Sequence, residues 1–438
     1  MRKSTMSVLT ILVLLALPLI VTASTPGGPF SSAFRVQNLS ASIANCVYTF
    51  YNSSGTAQFT SASSAINPGD SLFVYVPSLS LANGEYSGVV SCDQDVAAVV
   101  NWSDANSGAS FEGVGSTDTA TTLYAPGIYD NYFNFYSNVY VQNASTGPVN
   151  VTVSIYAPGN SSPVATQVFN SLPANASHLF EQSGLSQLAN NVPYSAKITA
   201  TGSVAAIVNI YGGVGTVADN QLYSYNAFKG GSKKAYAPVL MNNYFGYNTA
   251  LAIQNLSSTS STTYTISYGT GQVQNGSIPA NSSVSLYTPS AGVPAGSLTS
   301  ATVSAGQDVV VLVNESNSFR RAASYAGFAA GNTVGRAPIV MRNYFNFDSS
   351  VTCQNVGTAS ATMSIDYANT GTNTTSPSIL PGKTHLFYQP SDPNMLPGIT
   401  SATITSSQPI ACIVNQDTTS ALATVQADNL YAYEGITR

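Results

Sequence analysis

Along most of the chain, apolar and polar positions alternate with a period of two. The segments VTVSI (Val151 to Ile155) and TYTISY (Thr263 to Tyr268) show it with β-branched and aromatic residues. Outside the first residues, no window of twelve or more sustains a 3.6-residue apolar period with caps, so helices should be short or absent. Gly, Pro, Asn and Ser break the alternation every few residues. This describes six to eight short strands per unit of an antiparallel sandwich, with a small β-barrel as the alternative packing. The runs VAAIVN (Val204 to Asn209) and VVVLVN (Val309 to Asn314) do not alternate and read as central strands covered on both faces.

The pattern repeats. Val36-Gln37-Asn38, Val141-Gln142-Asn143, Ile253-Gln254-Asn255 and Cys353-Gln354-Asn355 are four copies of one strand entry, spaced by 105, 112 and 100 residues. A second landmark ends on Asn101, Asn209, Asn314 and Asn415, lying 63, 66, 59 and 60 residues after the first. Between them each copy has a Pro turn, at Pro68-Gly69, Pro173-Ala174, Pro279-Ala280 and Pro381-Gly382. Three landmarks in one order, four times over, indicate duplication, and a period of about 100 residues lets each copy fold as a domain. The expected fold is all-β: four tandem antiparallel β-sandwich (Ig-like) modules at 24–123, 124–235, 236–335 and 336–438, after an N-terminal signal peptide at 1–23.

That leader is read from Arg2 and Lys3, the apolar run Val8 to Ile20, and the small residues Val21-Thr22-Ala23, which place cleavage after Ala23. The run is shorter than the roughly 20 residues that span a bilayer, and no second such run follows, so no stable membrane span is expected in the mature chain. Charged residues make up only 7% of the chain, which leaves solubility to hydroxyl and amide groups. A net charge of -5 with 13 basic residues offers no footprint for nucleic acid.

Cysteines fall in pairs in the outer copies, Cys46 with Cys92 and Cys353 with Cys412, which predicts one disulfide within each and an exported chain. His178 and His385 occupy equivalent positions where the third copy has Val284, so both read as packing residues. No triad assembles around them, and the expected catalytic residues, cofactors and metals are none. Asp93, Asp95 and Asp308 lie in turns where calcium is conceivable, but a solvated turn aspartate is the commoner case.

Twelve Asn-X-Ser/Thr sequons are candidate N-glycosylation acceptors: Asn38, Asn52, Asn101, Asn143, Asn150, Asn160, Asn175, Asn255, Asn275, Asn281, Asn314 and Asn373. Composition alone would give nearly as many. The landmark Asn persists at Asn209, Asn355 and Asn415 without a sequon, which points to capping of a turn at a strand end.

A final motif precedes copies two to four. Pro126 with Tyr132 and Phe133, Pro238 with Tyr244 and Phe245, and Pro338 with Tyr344 and Phe345 share the order Ala-Pro, a short spacer, Asn-Tyr-Phe. Copy one has Gly27-Gly28-Pro29-Phe30 instead. With the VQN and IVN strands, this leader resembles the tandem-repeat extracellular surface proteins of bacteria, whose modules run "AP.v..nyfg.nt...vqN" and end near "aivN". The resemblance covers nearly all the mature chain and implies a surface-layer, sheath or adhesin-like role and no activity.

The leader reads as a connector whose aromatic residues pack between modules, giving a semi-rigid rod. The sharper reading is that it completes a sheet and leaves the first module with an open edge. The expected function is a non-enzymatic structural or adhesive protein of the cell surface, whose partners are itself, other surface proteins or glycans. A secreted carbohydrate-binding or carbohydrate-active protein is the alternative.

Overall fold

The computed structural model describes residues 28–418 and 427–435, so the expected signal peptide at 1–23 lies outside the described residues. The first repeat holds β1 (Ser31–Asn38), β2 (Ala44–Tyr51), β3 (Ala57–Thr60), β4 (Ser64–Ile66), β5 (Ser71–Tyr75), β6 (Ser87–Cys92), β7 (Val96–Ser103) and β8 (Gly108–Glu112). The second holds β9 (Ala120–Ile128), β10 (Phe135–Asn143), β11 (Val149–Tyr156), β12 (Ala165–Leu172), β13 (Ser177–Glu181), β14 (Tyr194–Gly212) and β15 (Leu222–Asn226). In the third are β16 (Ser232–Asn242), β17 (Tyr247–Asn255), β18 (Thr262–Tyr268), β19 (Val273–Ile278), β20 (Ser283–Tyr287), β21 (Ser297–Asn317) and β22 (Ala322–Ala326). The fourth has β23 (Asn332–Arg342), β24 (Phe347–Asn355), β25 (Met363–Tyr367), β26 (Asn373–Thr375), β27 (Thr384–Tyr388), β28 (Gly398–Thr418) and β29 (Tyr431–Glu434). The fold is all-β and antiparallel; the only helical segments among the described residues are short 3-10 turns, none able to cross a membrane.

Repeats two to four each form one seven-stranded sheet with the same strand order. In the second, the first half of β14 lies between β11 and the leader strand β9, and its second half lies between β10 and β15. One long strand thus serves two layers, and the sheet curls so that Val151, Val153 and Ile198 of one layer meet Val139, Val141 and Val208 of the other. In the first repeat the same path is broken between β6 and β7, which gives two four-stranded sheets. The leader strands β9, β16 and β23 each begin four residues upstream of the boundaries read at 124, 236 and 336.

The repeats do not form a rod. Strand β8 packs against β15, β15 against β22, β22 against β29, and β29 back against β8, so the last strands of the four repeats surround one axis. The same relation recurs at three of the four steps: Leu312 of the third repeat sits in the core of the second, Ile413 of the fourth in that of the third, and Val99 of the first in that of the fourth. The cycle therefore closes from first to last. This explains why VVVLVN fails to alternate: Val309, Val311 and Val313 face their own core, whereas Leu312 faces the neighbour's. Burying one such side chain contributes about 1.5–3 kcal/mol, so three such contacts weigh substantially in holding the ring.

Candidate functional site

The first-landmark asparagines cap a turn in every repeat. Asn143 Nδ2 donates to Gly147 O and Leu172 O while its Oδ1 accepts from Ser145 N, and Asn38, Asn255 and Asn355 make the matching set. All four are buried, so the amides of the sequons Asn38, Asn143 and Asn255 are committed to the fold. Asn281 is buried as well and donates to Ser161 O, while Asn52 and Asn175 sit half-buried in turns. Asn150, Asn160, Asn275 and Asn373 are exposed.

The second-landmark asparagines line the axis. Asn101 donates to Gln416 Oε1 of the fourth repeat, Asn415 to Glu315 Oε2 of the third, and Asn314 to Tyr129 Oη of the second. At the remaining seam Ser224 Oγ donates to Asn209 and accepts from Trp102 Nε1. The capping role expected of the landmark Asn therefore belongs to the first set alone. The second set joins repeats, because its residues occupy the strand face turned toward the axis, and it includes the sequons Asn101 and Asn314.

Asp428 stands at one end of the axis. Its carboxylate accepts from Leu222 N of the second repeat (2.6 Å), Ala322 N of the third (2.8 Å) and Leu430 N of its own, while Asp428 N donates to Asn106 O of the first. One buried residue thus touches all four repeats. Desolvation pushes its pKa up against these donors. Nearby, Asp417 pairs with Arg321 (2.8 Å) and accepts from Tyr247 Oη. Glu315 is fully buried, and desolvation raises its carboxyl to about 8. At the other end Glu434 accepts from Ala326 N and lines a cavity of about 310 Å³ with Glu112, Asn226 and Phe328. Sequence reasoning missed these acids; the one signal was their scarcity.

The aromatic leader turns do not pack between repeats as expected. Tyr132, Tyr244 and Tyr344 pack on the cores of their own repeats. Phe133, Phe245 and Phe345 are 64%, 84% and 80% exposed, each edge-on to the preceding Tyr at 4.7–4.8 Å. Each caps a two-residue hairpin: Tyr132 and Phe135 exchange both backbone bonds, and Phe133 (φ 49°) and Asn134 (φ 69°) are left-handed. Such turns favour Asn-Gly. A bulky residue held there and turned to solvent is strained and exposed at once. Pro126, Pro238 and Pro338 are buried in the leader strands, each within a register shift. The residue after each, Gly127, Val239 or Ile339, exchanges both backbone bonds with a buried tyrosine hydroxyl, of Tyr225, Tyr325 or Tyr433.

Both expected disulfides are present, Cys46–Cys92 joining β2 to β6 and Cys353–Cys412 joining β24 to β28. His178 stacks on Phe169 and His385 lies edge-on to Phe387; desolvation lowers both imidazoles. Asp93 clamps the backbone and side-chain amides of Asn45, and Asp95 and Asp308 accept Leu39 N and Leu256 N through their carbonyls. Among the described residues no three His, Cys, Asp or Glu side chains gather as a metal set.

No protein-family model and no curated protein matches the chain. Among solved structures, a Thermotoga maritima protein designated 1070 shares 17% identity over 22% of this chain and 94% of its own, with a TM-score of 0.20. The BSP domain of a biofilm associated protein shares 7% identity over 94% of this chain and 91% of its own, at 0.15. A structure of broad bean stain virus shares 11% identity over 44% of this chain and 91% of its own, also at 0.15. Scores this low fix neither fold family nor function.

Proposed function

We propose that the chain is an exported, non-enzymatic structural or adhesive protein of the cell surface, built from four Ig-like β-sandwich modules closed into a ring. The observation that carries this reading is the set of exposed Phe133, Phe245 and Phe345, held at identical turn positions in three repeats. Because the repeats follow one another by the same step, equivalent turns emerge on one face of the ring, the end at which Asp428 sits. Three rigid apolar tips on one face give multivalent contact to a partner surface, with avidity beyond any single contact. Two disulfides, few charges and a removable N-terminal segment fit an extracellular setting.

Carbohydrate binding is the second reading, favoured by the same tips, since an exposed aromatic face stacks on sugar rings. The test is retention of purified protein on its own cell envelope and on a polysaccharide panel, with F133S/F245S/F345S beside it. Loss of envelope retention in the variant supports adhesion, and selective loss on one polysaccharide supports the glycan reading. Equal retention of both proteins on every surface contradicts both.

A further inference from the structure

Among the described residues, three of the four seams share a part that the fourth lacks. Leaders β9, β16 and β23 each pair with the first half of the long strand of their own repeat and lean on the following repeat in the ring. The first repeat has no described leader, and among the described residues its β6 pairs with β2 alone.

The consequence is visible in burial. Counted from the second-landmark Asn, Gly88 and Val90 stand where the other repeats have Ala196, Ala301 and Ala402, and Ile198, Val303 and Ile404. Those six are buried to 1% exposure or less, whereas Gly88 is exposed and Val90 half-buried. Across the seam, Ile207 occupies the position of the fully buried Val99, Leu312 and Ile413, and it is half-buried. Around the end of the slot, Phe111 faces Val100 in the register at which Tyr225, Tyr325 and Tyr433 face Val208, Val313 and Val414. Phenylalanine has no hydroxyl to hold a bulged Ala-Pro segment.

We propose that the edge of β6 and the apolar wall of Val90, Phe111 and Ile207 form an acceptor groove for an extended strand supplied by another polypeptide chain. The occupant is a straight strand with small or apolar residues at alternate positions and no proline bulge. In the three filled seams an extended segment of that pattern lies in the same place. The source follows from register: residues 15–23 would align with the leaders, and they belong to the segment whose removal is expected. This inference rests on that removal, which N-terminal sequencing of the exported protein checks separately. Strand addition supplies main-chain hydrogen bonds along the open edge and buries alternate side chains, the two terms that leaders supply elsewhere.

The experiment uses the exported chain beginning at Ser24 and two synthetic peptides. One is the third leader, Ser232 to Asn242; the other is the same segment with Pro238 deleted, so that it is straight. The expected result is saturable binding of the straight peptide, at least tenfold tighter than the bulged one, with a rise in Tm. Ile207→Asp should weaken it at least tenfold while circular dichroism stays that of the parent. A chain carrying the straight segment fused ahead of Phe30 should bind none. Absence of binding overturns the proposal, as does binding that ignores Ile207→Asp, the fusion or a scrambled peptide. If the exported chain retains residues 15–23 and refuses the peptide, the groove is filled from within and the proposal is equally overturned.

Discussion

Asn101 donates its side-chain amide to Gln416 Oε1 at 3.2 Å, joining strands 315 residues apart in sequence and closing the first repeat on the last. A neutral hydrogen bond of this kind contributes about 0.5–1.5 kcal/mol. A double-mutant cycle of Asn101→Ala and Gln416→Ala should show coupling of that size in chemical denaturation. Independent units on a string would show none.

Leu312 gives a larger effect at the next seam. Its side chain is fully buried in the second repeat's core, so Leu312→Ala should destabilise by about 2–5 kcal/mol. Hydrogen exchange should report the loss in β9 and β10 of the neighbour as well as in β21. Protection lost in β21 alone would remove Leu312 from the neighbour's core.

Glu315 makes stability depend on pH. Its folded pKa, about 8, lies above the ordinary 4.5, so the native state binds the extra proton. Its contribution is most favourable below about pH 4.5 and declines as pH rises to about 8, by no more than about 1.36 kcal/mol per unit. Glu315→Gln should remove that slope, leaving the variant more stable than the parent at pH 8.5 and near parity at pH 4. Parallel pH curves for the two proteins would show that the carboxyl is charged in the fold.

Phe245 sits exposed at φ 48°, where a side chain of its size is strained. Phe245→Asn should raise stability by about 1 kcal/mol, since asparagine tolerates this conformation. A fall in Tm would place the ring in a core. Tyr244, by contrast, packs on the core of its own repeat, so its loss should destabilise that repeat.

Glycan mapping should find any occupied sequon among Asn150, Asn160, Asn275 and Asn373. Occupancy at Asn143 or Asn255 would contradict the buried capping network.

The strands, both disulfides and the packing histidines were legible because each depends on local alternation, spacing or substitution between copies. The leader's place at a sheet edge was one of two readings of the motif, beside a connector packed between modules. The ring was not. Nothing in VAAIVN tells whether its second apolar face meets a layer of the same unit or the next unit. Nor does a lone Asp428 reveal that backbone amides from two other repeats converge on it. Phe133, Phe245 and Phe345 misled because an aromatic residue in a motif is ordinarily buried, and only the left-handed turn turns them outward.

Small-angle scattering of the exported chain tests ring closure most directly. A compact chain of this length has a radius of gyration of about 22 Å, whereas four units of about 100 residues placed end to end give roughly 40 Å. The closed ring predicts the smaller value, unchanged by dilution. A value near the larger one, or a scattering profile characteristic of a rod, would contradict it.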